Sequence, residues 1–259
     1  MYSNIEIGRI VISTYNIIII IGFIISIFSY TWLVYKHEDK VTFFKSLAIY
    51  TIAYILLIGT WSKLFYILEH IDTGKTQGKN FLGTVIFGTL VFFLLQKVLI
   101  KSKDRDMNNN IHFRAWFLSL AIQQIFNRLA CFFEGCCFGI KSDSIFAVIF
   151  PNKSAIRDLY GGEVKVLPIQ MFEVISLVAI LCILFFIFRK KQAPVISIGL
   201  ILYGICRFLI EFLRAEDRGY LYFNFLSLSQ LACLLLIIAG LSDIIVRSYI
   251  LNKNKTLKI

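Results

Sequence analysis

Residues 10–34 read IVISTYNIIIIIGFIISIFSYTWLV, a stretch that contains no charged side chain. A helix of about 20 apolar residues is long enough to cross the hydrocarbon core of a bilayer. The stretch is also longer than the apolar core of a secretory signal peptide, and no small-residue cleavage site follows it. It therefore predicts a membrane-spanning helix and not a cleaved leader.

Long apolar blocks of this kind recur along the whole chain. The protein has 259 residues, of which 58% are hydrophobic and only 17% are charged. A soluble domain of this length would carry more charge, and its helices would show amphipathic stripes. We expect an all-α integral membrane protein with seven transmembrane helices, which forms a single membrane domain over residues 1–259. The expected spans are about 10–35, 43–68, 81–100, 112–133, 168–188, 195–213 and 226–248.

The basic residues divide unevenly between the loops on the two sides of the membrane. Lysine and arginine are densest after the first, third and fifth spans and in the tail 249–259. Cytoplasmic loops carry this excess, so we expect the N-terminus outside and the C-terminus in the cytoplasm. The connection 134–167 is then a longer extracytoplasmic loop. Loop charges and contacts with membrane lipids account for the net charge of +11, so no nucleic-acid partner is predicted.

Residues 127–139 read NRLACFFEGCCFG and bring charge to the end of the fourth expected span. Gln124, Asn127 and Arg128 have the spacing of one helix face. Polar amides alone would suit contacts between helices. An arginine next to a glycine-rich break instead favours an anion-binding site, because guanidinium groups bind phosphate in a bidentate manner.

The sixth expected span carries a second polar face, formed by Tyr203, Arg207, Glu211 and Arg214. One interpretation is a buried Arg–Glu pair that only neutralises itself. A charged pair in a membrane helix is costly, however, so this pattern favours a functional site. Lys63, in the second span, either lies at membrane depth or reaches the interface through its long side chain.

Three cysteines, Cys131, Cys136 and Cys137, lie close together in the sequence and allow three interpretations. They are packing thiols in a tight turn, a reactive or redox pair whose pKa is lowered by Arg128, or metal ligands. A metal site lacks a fourth ligand in this pattern. The sequence therefore predicts no metal and no cofactor.

Residues 127–139 resemble the signature Gly-Arg-x-Gly-Asn-Phe-x-Asn-Gly-Glu-x-x-Gly of the bacterial prolipoprotein diacylglyceryl transferases, which are seven-helix enzymes of the inner membrane. Arg128, Phe132, Gly135 and Gly139 match this signature in register. The resemblance keeps its order and spacing over nearly the whole chain. Further similarities lie at Tyr15, Gly22, Phe23, Gly59, Lys63, Tyr66, residues 150–151, residues 167–173, Tyr203, Gly204, Arg207, Glu211, Arg214 and residues 226–230.

Several positions depart from the family pattern, among them Lys63, which stands where the family has arginine. Cys131 stands where the signature has asparagine, and Cys136 stands where it has glutamate. Leu82 and Leu167 occupy two positions at which the family has histidine. The residues that would hold phosphate are thus retained, whereas several that would move protons are replaced.

The resemblance implies that a diacylglyceryl group moves from phosphatidylglycerol to the cysteine thiol of a secreted prolipoprotein, while glycerol phosphate leaves. Arg128 and Arg207 would hold the phosphate, Glu211 would orient Arg207, and Glu134 or Glu173 would accept the thiol proton. The alternative is a divergent paralogue, a lipid-binding or thiol-redox membrane protein without transferase activity. Expected substrate-binding residues are Tyr15, Lys63, Gln170, Tyr203, Gly139 and Arg214, and possible reactive thiols are Cys131, Cys136 and Cys137.

Overall fold

The fold is helical, and two short β-hairpins accompany the helices. The computed structural model describes residues 4–7, 10–35, 37–59, 81–99, 110–150, 156, 159–190, 193–215 and 226–256. Within these ranges the chain forms seven α-helices. They are α1 Thr14–Tyr35, α2 Lys40–Gly59, α3 Phe81–Leu99, α4 Ile111–Glu134, α5 Ile169–Phe188, α6 Val195–Glu211 and α7 Leu228–Thr256.

The two hairpins flank the first and fourth helices. Strand β1 (Asn4–Ile7) pairs antiparallel with β2 (Ile10–Ser13) in the register Asn4 to Ser13. Strand β3 (Val148–Ile149) pairs antiparallel with β4 (Lys165–Val166) within the expected loop 134–167. That loop also holds a small apolar core, formed by Phe138, Phe150, Ile156 and Val166.

Three of the described helix boundaries differ from the expected spans by more than two residues. The first helix begins at Thr14 and not near residue 10, because residues 10–13 are paired in β2. The second begins at Lys40 and not at residue 43, and its expected end at residue 68 lies outside the described residues. The last helix runs to Thr256 through most of the expected tail, since neither glycine nor proline interrupts residues 241–256.

Local capping explains where several helices begin. The Asp39 carboxylate accepts hydrogen bonds from the backbone N–H groups of Val41 and Thr42, at 3.0 and 3.2 Å, and so caps α2. The Asn110 side chain accepts the N–H of His112 at 2.9 Å and caps α4. Pro168 and Pro194 precede α5 and α6, where the missing proline N–H has no helical partner to lose. The Asp39 and Asn110 side chains thus satisfy backbone N–H groups that the first turn of each helix leaves free.

Three of the described helices are long and apolar enough to cross a membrane: Thr14–Tyr35, Ile169–Phe188 and a stretch of α7 over Ser229–Ile250. Large apolar side chains lie exposed along the helices, among them Phe28 and Phe186, at 69% and 70% exposure. Exposed apolar surface on this scale suits a lipid environment and would be costly in water. The part of the chain that the structure describes therefore supports a multi-pass membrane protein, without establishing the count of seven spans.

The chain divides into two compact units. Unit 1 comprises Met1–Ile25 and Ala121–Ile259, and unit 2 comprises Ser26–Leu120. In unit 2, the rings of Phe92 and Trp116 stack with centroids 4.3 Å apart, and those of Tyr30 and Tyr50 lie 4.5 Å apart. Close aromatic contacts of this kind stabilise the interior of that unit.

Small residues allow close helix packing within unit 1. A Cβ atom added at Gly240 of α7 would lie 2.6 Å from the carbonyl oxygen of Ser197 in α6. One added at Gly204 of α6 would lie 2.9 Å from the carbonyl oxygen of Cys233 in α7. Helices in membranes approach closely where small residues face each other. This contact places α6 firmly against α7, and α6 carries much of the polar site.

Candidate active site

Glu173, in the first turns of α5, is the centre of a buried ion-pair cluster in unit 1. Its Oε2 atom pairs with Nε of Arg128 from α4. Its Oε1 atom lies 3.7 Å from Nη1 of Arg207 in α6 and 3.9 Å from Nη1 of Arg214, which follows α6. All four side chains are at most 9% exposed. One carboxylate thus brings Arg128 together with two arginines that lie much later in the sequence.

A second carboxylate, that of Glu211, completes the cluster. Its Oε2 atom lies 2.5 Å from Nη2 of Arg207, one helical turn earlier in α6. The Ser227 hydroxyl donates to Oε1 of Glu211 at 3.3 Å. Three guanidinium groups face two carboxylates, so the cluster retains a net positive charge. A buried cluster of this composition suits an anionic ligand.

The start of α7 holds Ser227 in place through a capping box. The hydroxyl of Ser227 accepts the N–H of Gln230 at 3.2 Å, and Oε1 of Gln230 accepts the N–H of Ser227 at 3.0 Å. This reciprocal pair satisfies donors that the first helical turn leaves free. The sequence resemblance of residues 226–230 therefore has a structural counterpart, because the cap positions the hydroxyl that supports Glu211.

Polar groups of α1 and α4 extend the site. The Tyr15 hydroxyl donates to Oδ1 of Asn127 at 3.3 Å, and Nδ2 of Asn127 donates to Oε1 of Gln124 at 3.2 Å. Tyr15 interacts electrostatically with Arg128, and so does Tyr203 of α6. Both tyrosines therefore belong to the polar surroundings of the guanidinium groups.

Gly139 joins the loop after α4 to the ends of α5 and α6. Its N–H donates to the carbonyl oxygen of Leu167 at 2.8 Å, and it forms an isolated β-bridge with Arg214. A Cβ atom at this position would lie 2.8 Å from that same carbonyl oxygen, so only glycine fits without displacement. These backbone contacts of Gly139 fix the backbone of Arg214 beside the cluster.

The three thiols converge at the end of α4. The N–H of Gly135 donates to the carbonyl of Phe132 at 3.2 Å, and the N–H of Cys136 donates to the carbonyl of Cys131 at 3.2 Å. Together with the positive φ of 72° at Gly135, these bonds form a Schellman motif. The Sγ atoms of Cys131, Cys136 and Cys137 all lie within 4.8 Å of one another, which makes them a possible ligand set for a metal.

The environment of Cys137 favours its thiolate form. Hydrogen bonds from the thiols of Cys131 and Cys136 lower the pKa of Cys137 well below its usual range. The positive charges of Arg214 and Arg128 act in the same direction. Burial opposes these effects without cancelling them. The thiol group and the arginine cluster are therefore electrostatically linked.

Most of the expected site residues meet in unit 1. Gln170 contributes through Nε2, which donates to the carbonyl of Cys136 at 2.6 Å. Glu134 is half-buried and, among the described residues, forms no ion pair with the arginines. Lys63 lies outside the described residues.

The sequence did not single out Ser227 as a support for Glu211, although its SxxQ capping pattern is readable. The residues brought together are Tyr15, Arg128, Cys131, Cys136, Cys137, Gly139, Gln170, Glu173, Tyr203, Arg207, Glu211 and Arg214.

The fold and the site define a helical membrane protein with a buried, positively charged arginine–carboxylate cluster. A family model described as prolipoprotein diacylglyceryl transferase matches residues 3–246. The chain belongs to that family, which is named for a transferase activity. The expected resemblance is thereby confirmed over nearly the whole chain.

Individual relatives carry the same name. Over 206 residues, the chain is 29% identical to the phosphatidylglycerol–prolipoprotein diacylglyceryl transferase of Clostridium tetani, covering 74% of this chain and 78% of that protein. It is 35% identical over 124 residues to transferase 2 of Clostridium perfringens, covering 47% of this chain and 46% of that protein. It is 34% identical over 118 residues to the transferase of Ehrlichia ruminantium, covering 44% of each protein. The last two alignments thus span about half the length of those relatives.

Proposed function

We propose that this protein transfers a diacylglyceryl group from phosphatidylglycerol to the cysteine thiol of a prolipoprotein. The observation that carries the proposal is the cluster in which Arg128, Arg207 and Arg214 share the carboxylate of Glu173. The reaction class requires such a cluster, because the leaving group is a phosphate ester that gains negative charge as its bond to carbon breaks. Family membership and the names of the relatives support the same reaction.

The arginines would stabilise the leaving glycerol phosphate. The cluster keeps one positive charge more than its carboxylates neutralise, so a phosphate diester completes the charge balance on binding. The guanidinium groups are held in place before the substrate arrives, and their burial strengthens electrostatic interactions with it. Removing one pre-positioned donor of this kind costs roughly 10²–10³-fold in rate.

The two carboxylates have different roles in this mechanism. Glu211 orients Arg207 through their 2.5 Å contact, and Ser227 in turn holds Glu211. Both oxygens of Glu173 face guanidinium groups, so we assign it to holding the arginines together and not to accepting the thiol proton. Glu134 then remains the carboxylate candidate for that proton transfer.

The polar groups around the cluster would position the lipid headgroup. Tyr15 and Tyr203 lie near the guanidinium groups, and Gln170 has a buried Oε1 atom without a hydrogen-bond partner among the described residues. A hydroxyl group of the glycerol head would satisfy that acceptor. We propose that the acyl chains lie among the apolar helices and that the protein resides in the bacterial inner membrane.

The thiol group supports a second candidate, a thiol-redox or lipid-binding membrane protein that has lost the transfer reaction. Three Sγ atoms within 4.8 Å of one another are placed for disulfide exchange. Cys131 and Cys136 replace residues of the family signature, so the catalytic centre itself differs from its relatives. An assay of the thioether product distinguishes this candidate from a transferase, because only a transferase forms that product.

Reconstitution of the purified chain tests the transfer. We expect vesicles that contain labelled phosphatidylglycerol and a cysteine-bearing precursor peptide to yield one diacylglyceryl thioether for each glycerol phosphate released. Arg207→Ala should lower the rate roughly 10²-fold or more, because a phosphate-binding guanidinium is lost. Arg247→Ala is the matched control, since it removes a guanidinium that pairs with Asp243 in α7, away from the cluster. The control should retain the parent rate.

Two results would contradict the proposal. One is the absence of thioether product from a folded chain that also fails to restore lipoprotein lipidation in cells depleted of their own transferase. The other is equal activity of the parent and Arg207→Ala, which would separate the transfer from the arginine cluster.

A further inference from the structure

The transfer reaction needs a means of deprotonating the incoming thiol, and the described site offers few ordinary bases. Residues 1–25 and 121–259, which form unit 1, contain no histidine. Glu173 and Glu211 are committed to guanidinium groups. Three cysteines lie at the same place instead, within 4.8 Å of one another. Their chemistry offers another route to a thiolate.

The backbone holds the thiols in an arrangement suited to a metal. The Schellman motif at Gly135 brings the residue after the turn, Cys136, back over Cys131. Cys137 has a φ of 58°, a left-handed conformation that is uncommon for a residue with a side chain. In a tetrahedral zinc site with Zn–S bonds of about 2.3 Å, sulfur atoms lie about 3.8 Å apart. Shifts of about 1 Å in the positions of the sulfur atoms would therefore let all three thiols bind one zinc ion.

The charges around the thiols also fit such a site. Three thiolates and one divalent cation carry a net charge of −1. The neighbouring cluster of three arginines and two glutamates carries a net charge of +1. Arg128 and Arg214 are the members that interact electrostatically with Cys137. Those two guanidinium groups would therefore stabilise the negative charge of a zinc–trithiolate unit.

We propose that Cys131, Cys136 and Cys137 bind a zinc ion whose fourth position takes the thiol of the acceptor peptide. This inference rests on the proposed transferase function and offers a zinc-bound hydroxide, in place of Glu134, as the acceptor of the thiol proton. Sites with three protein ligands leave one position for water or substrate, which is the arrangement of catalytic zinc. The fourth ligand that the sequence pattern lacks is then the substrate itself.

The proposed transfer begins when the acceptor thiol binds the zinc ion. The acceptor thiol displaces a zinc-bound hydroxide, and its proton joins the hydroxide to form water. The zinc-bound thiolate attacks the glycerol carbon of the lipid that bears the phosphate ester. A carbon–sulfur bond forms, the carbon–oxygen bond breaks, and its electron pair leaves with glycerol phosphate towards the arginines. A water molecule then binds the zinc ion and gives one proton to the departing glycerol phosphate, which restores the hydroxide. The metal-coordinated thiol is deprotonated in this way without a side-chain base.

Metal binding can be measured without any transfer assay. The full chain is purified in detergent under reducing conditions, stripped with a chelator, and reloaded with zinc or with cobalt(II). We expect about one zinc ion per chain and the strong visible absorption of tetrahedral, thiolate-bound cobalt. The triple variant Cys131→Ser, Cys136→Ser, Cys137→Ser should retain almost no zinc. Cys182→Ser, which removes an exposed thiol within α5, should bind as the parent does.

The acceptor thiol is tested on the cobalt form. Adding a precursor peptide with its cysteine should increase the sulfur-to-cobalt charge-transfer absorption, whereas the same peptide with serine should not. Cys136→Ser alone should lower that absorption, which guards against misfolding of the triple variant. Failure of the reduced parent to retain zinc, or no spectral response to the cysteine peptide, would overturn the inference. A chain that binds zinc and the peptide thiol but forms no thioether would support this site and contradict the proposed transfer.

Discussion

At the scale of single residues, the site depends most on Glu173. Its two oxygens face guanidinium groups from α4, α6 and the segment after α6. Burying three arginines in a membrane protein is tolerable only when opposite charge accompanies them. A helix-face pattern in one segment cannot reveal this role, because the partners lie up to 86 residues apart in the chain.

Replacing Glu173 by glutamine tests that role. Three guanidinium groups would then face the single carboxylate of Glu211, so we expect a loss of about 3–5 kcal/mol of stability. A lower thermal midpoint in detergent and a loss of transfer activity would report it. Glu163→Gln, a change at an exposed loop position, is the control and should leave both nearly unchanged. Equal stability of Glu173→Gln and the parent would contradict the assignment of Glu173 as the shared counter-ion.

At the scale of secondary-structure elements, short motifs determine where functional side chains lie. Asp39 caps α2, a Schellman motif ends α4, and a capping box begins α7. The last two act directly on the site, since one gathers the thiols and the other holds Ser227 against Glu211. The capping residues are local and so are readable in the sequence, whereas the thiol contacts that the turn produces are not.

Gly139→Ala tests the backbone contacts that join Gly139 to Leu167 and Arg214. The added methyl group would lie 2.8 Å from the Leu167 carbonyl oxygen and from a methyl group of Ile169. We expect a loss of roughly 1–3 kcal/mol of stability, as for other overpacked positions. Transfer activity should also fall, because Arg214 is bridged to Gly139. Thermal unfolding and the thioether assay measure the two effects.

Gly162→Ala is the matched control for that change. No atom lies within 4 Å of a Cβ placed at Gly162, and its backbone is not left-handed. It should therefore unfold at the parent temperature. If Gly139→Ala behaved like Gly162→Ala, the close approach at Leu167 would not constrain the site.

At the scale of the whole molecule, the distribution of loop charges predicts the orientation in the membrane. We expect reporter fusions after Arg105 and after Lys191 to be cytoplasmic, because the basic loops are held on that side. A fusion after Asp143, in the loop after α4, should be external and serves as the control. An external reporter at Arg105 or Lys191 would show that the predicted order of spans is wrong.

The sequence by itself determined the helical membrane class and the family, and it named most of the residues that the structure gathers in unit 1. Apolar blocks indicate spans because a bilayer leaves few other options for the backbone. Arg207 and Glu211 lie one helical turn apart, so their pairing follows from local geometry alone. The order and spacing of motifs along nearly the whole chain supported the family resemblance, which the match over residues 3–246 confirms.

Only the tertiary structure decided what these residues do to one another. It made Glu173 the shared partner of three arginines, whereas the sequence suggested it as a base. It also brought Cys131 within reach of Cys136 and Cys137, and it paired residues 10–13 as a strand where the apolar pattern predicted helix. The physical reason is the same in each case. Ion pairs, thiol contacts and strand pairing depend on the approach of separate segments or on the path of a turn, and hydrophobic periodicity carries no information about either.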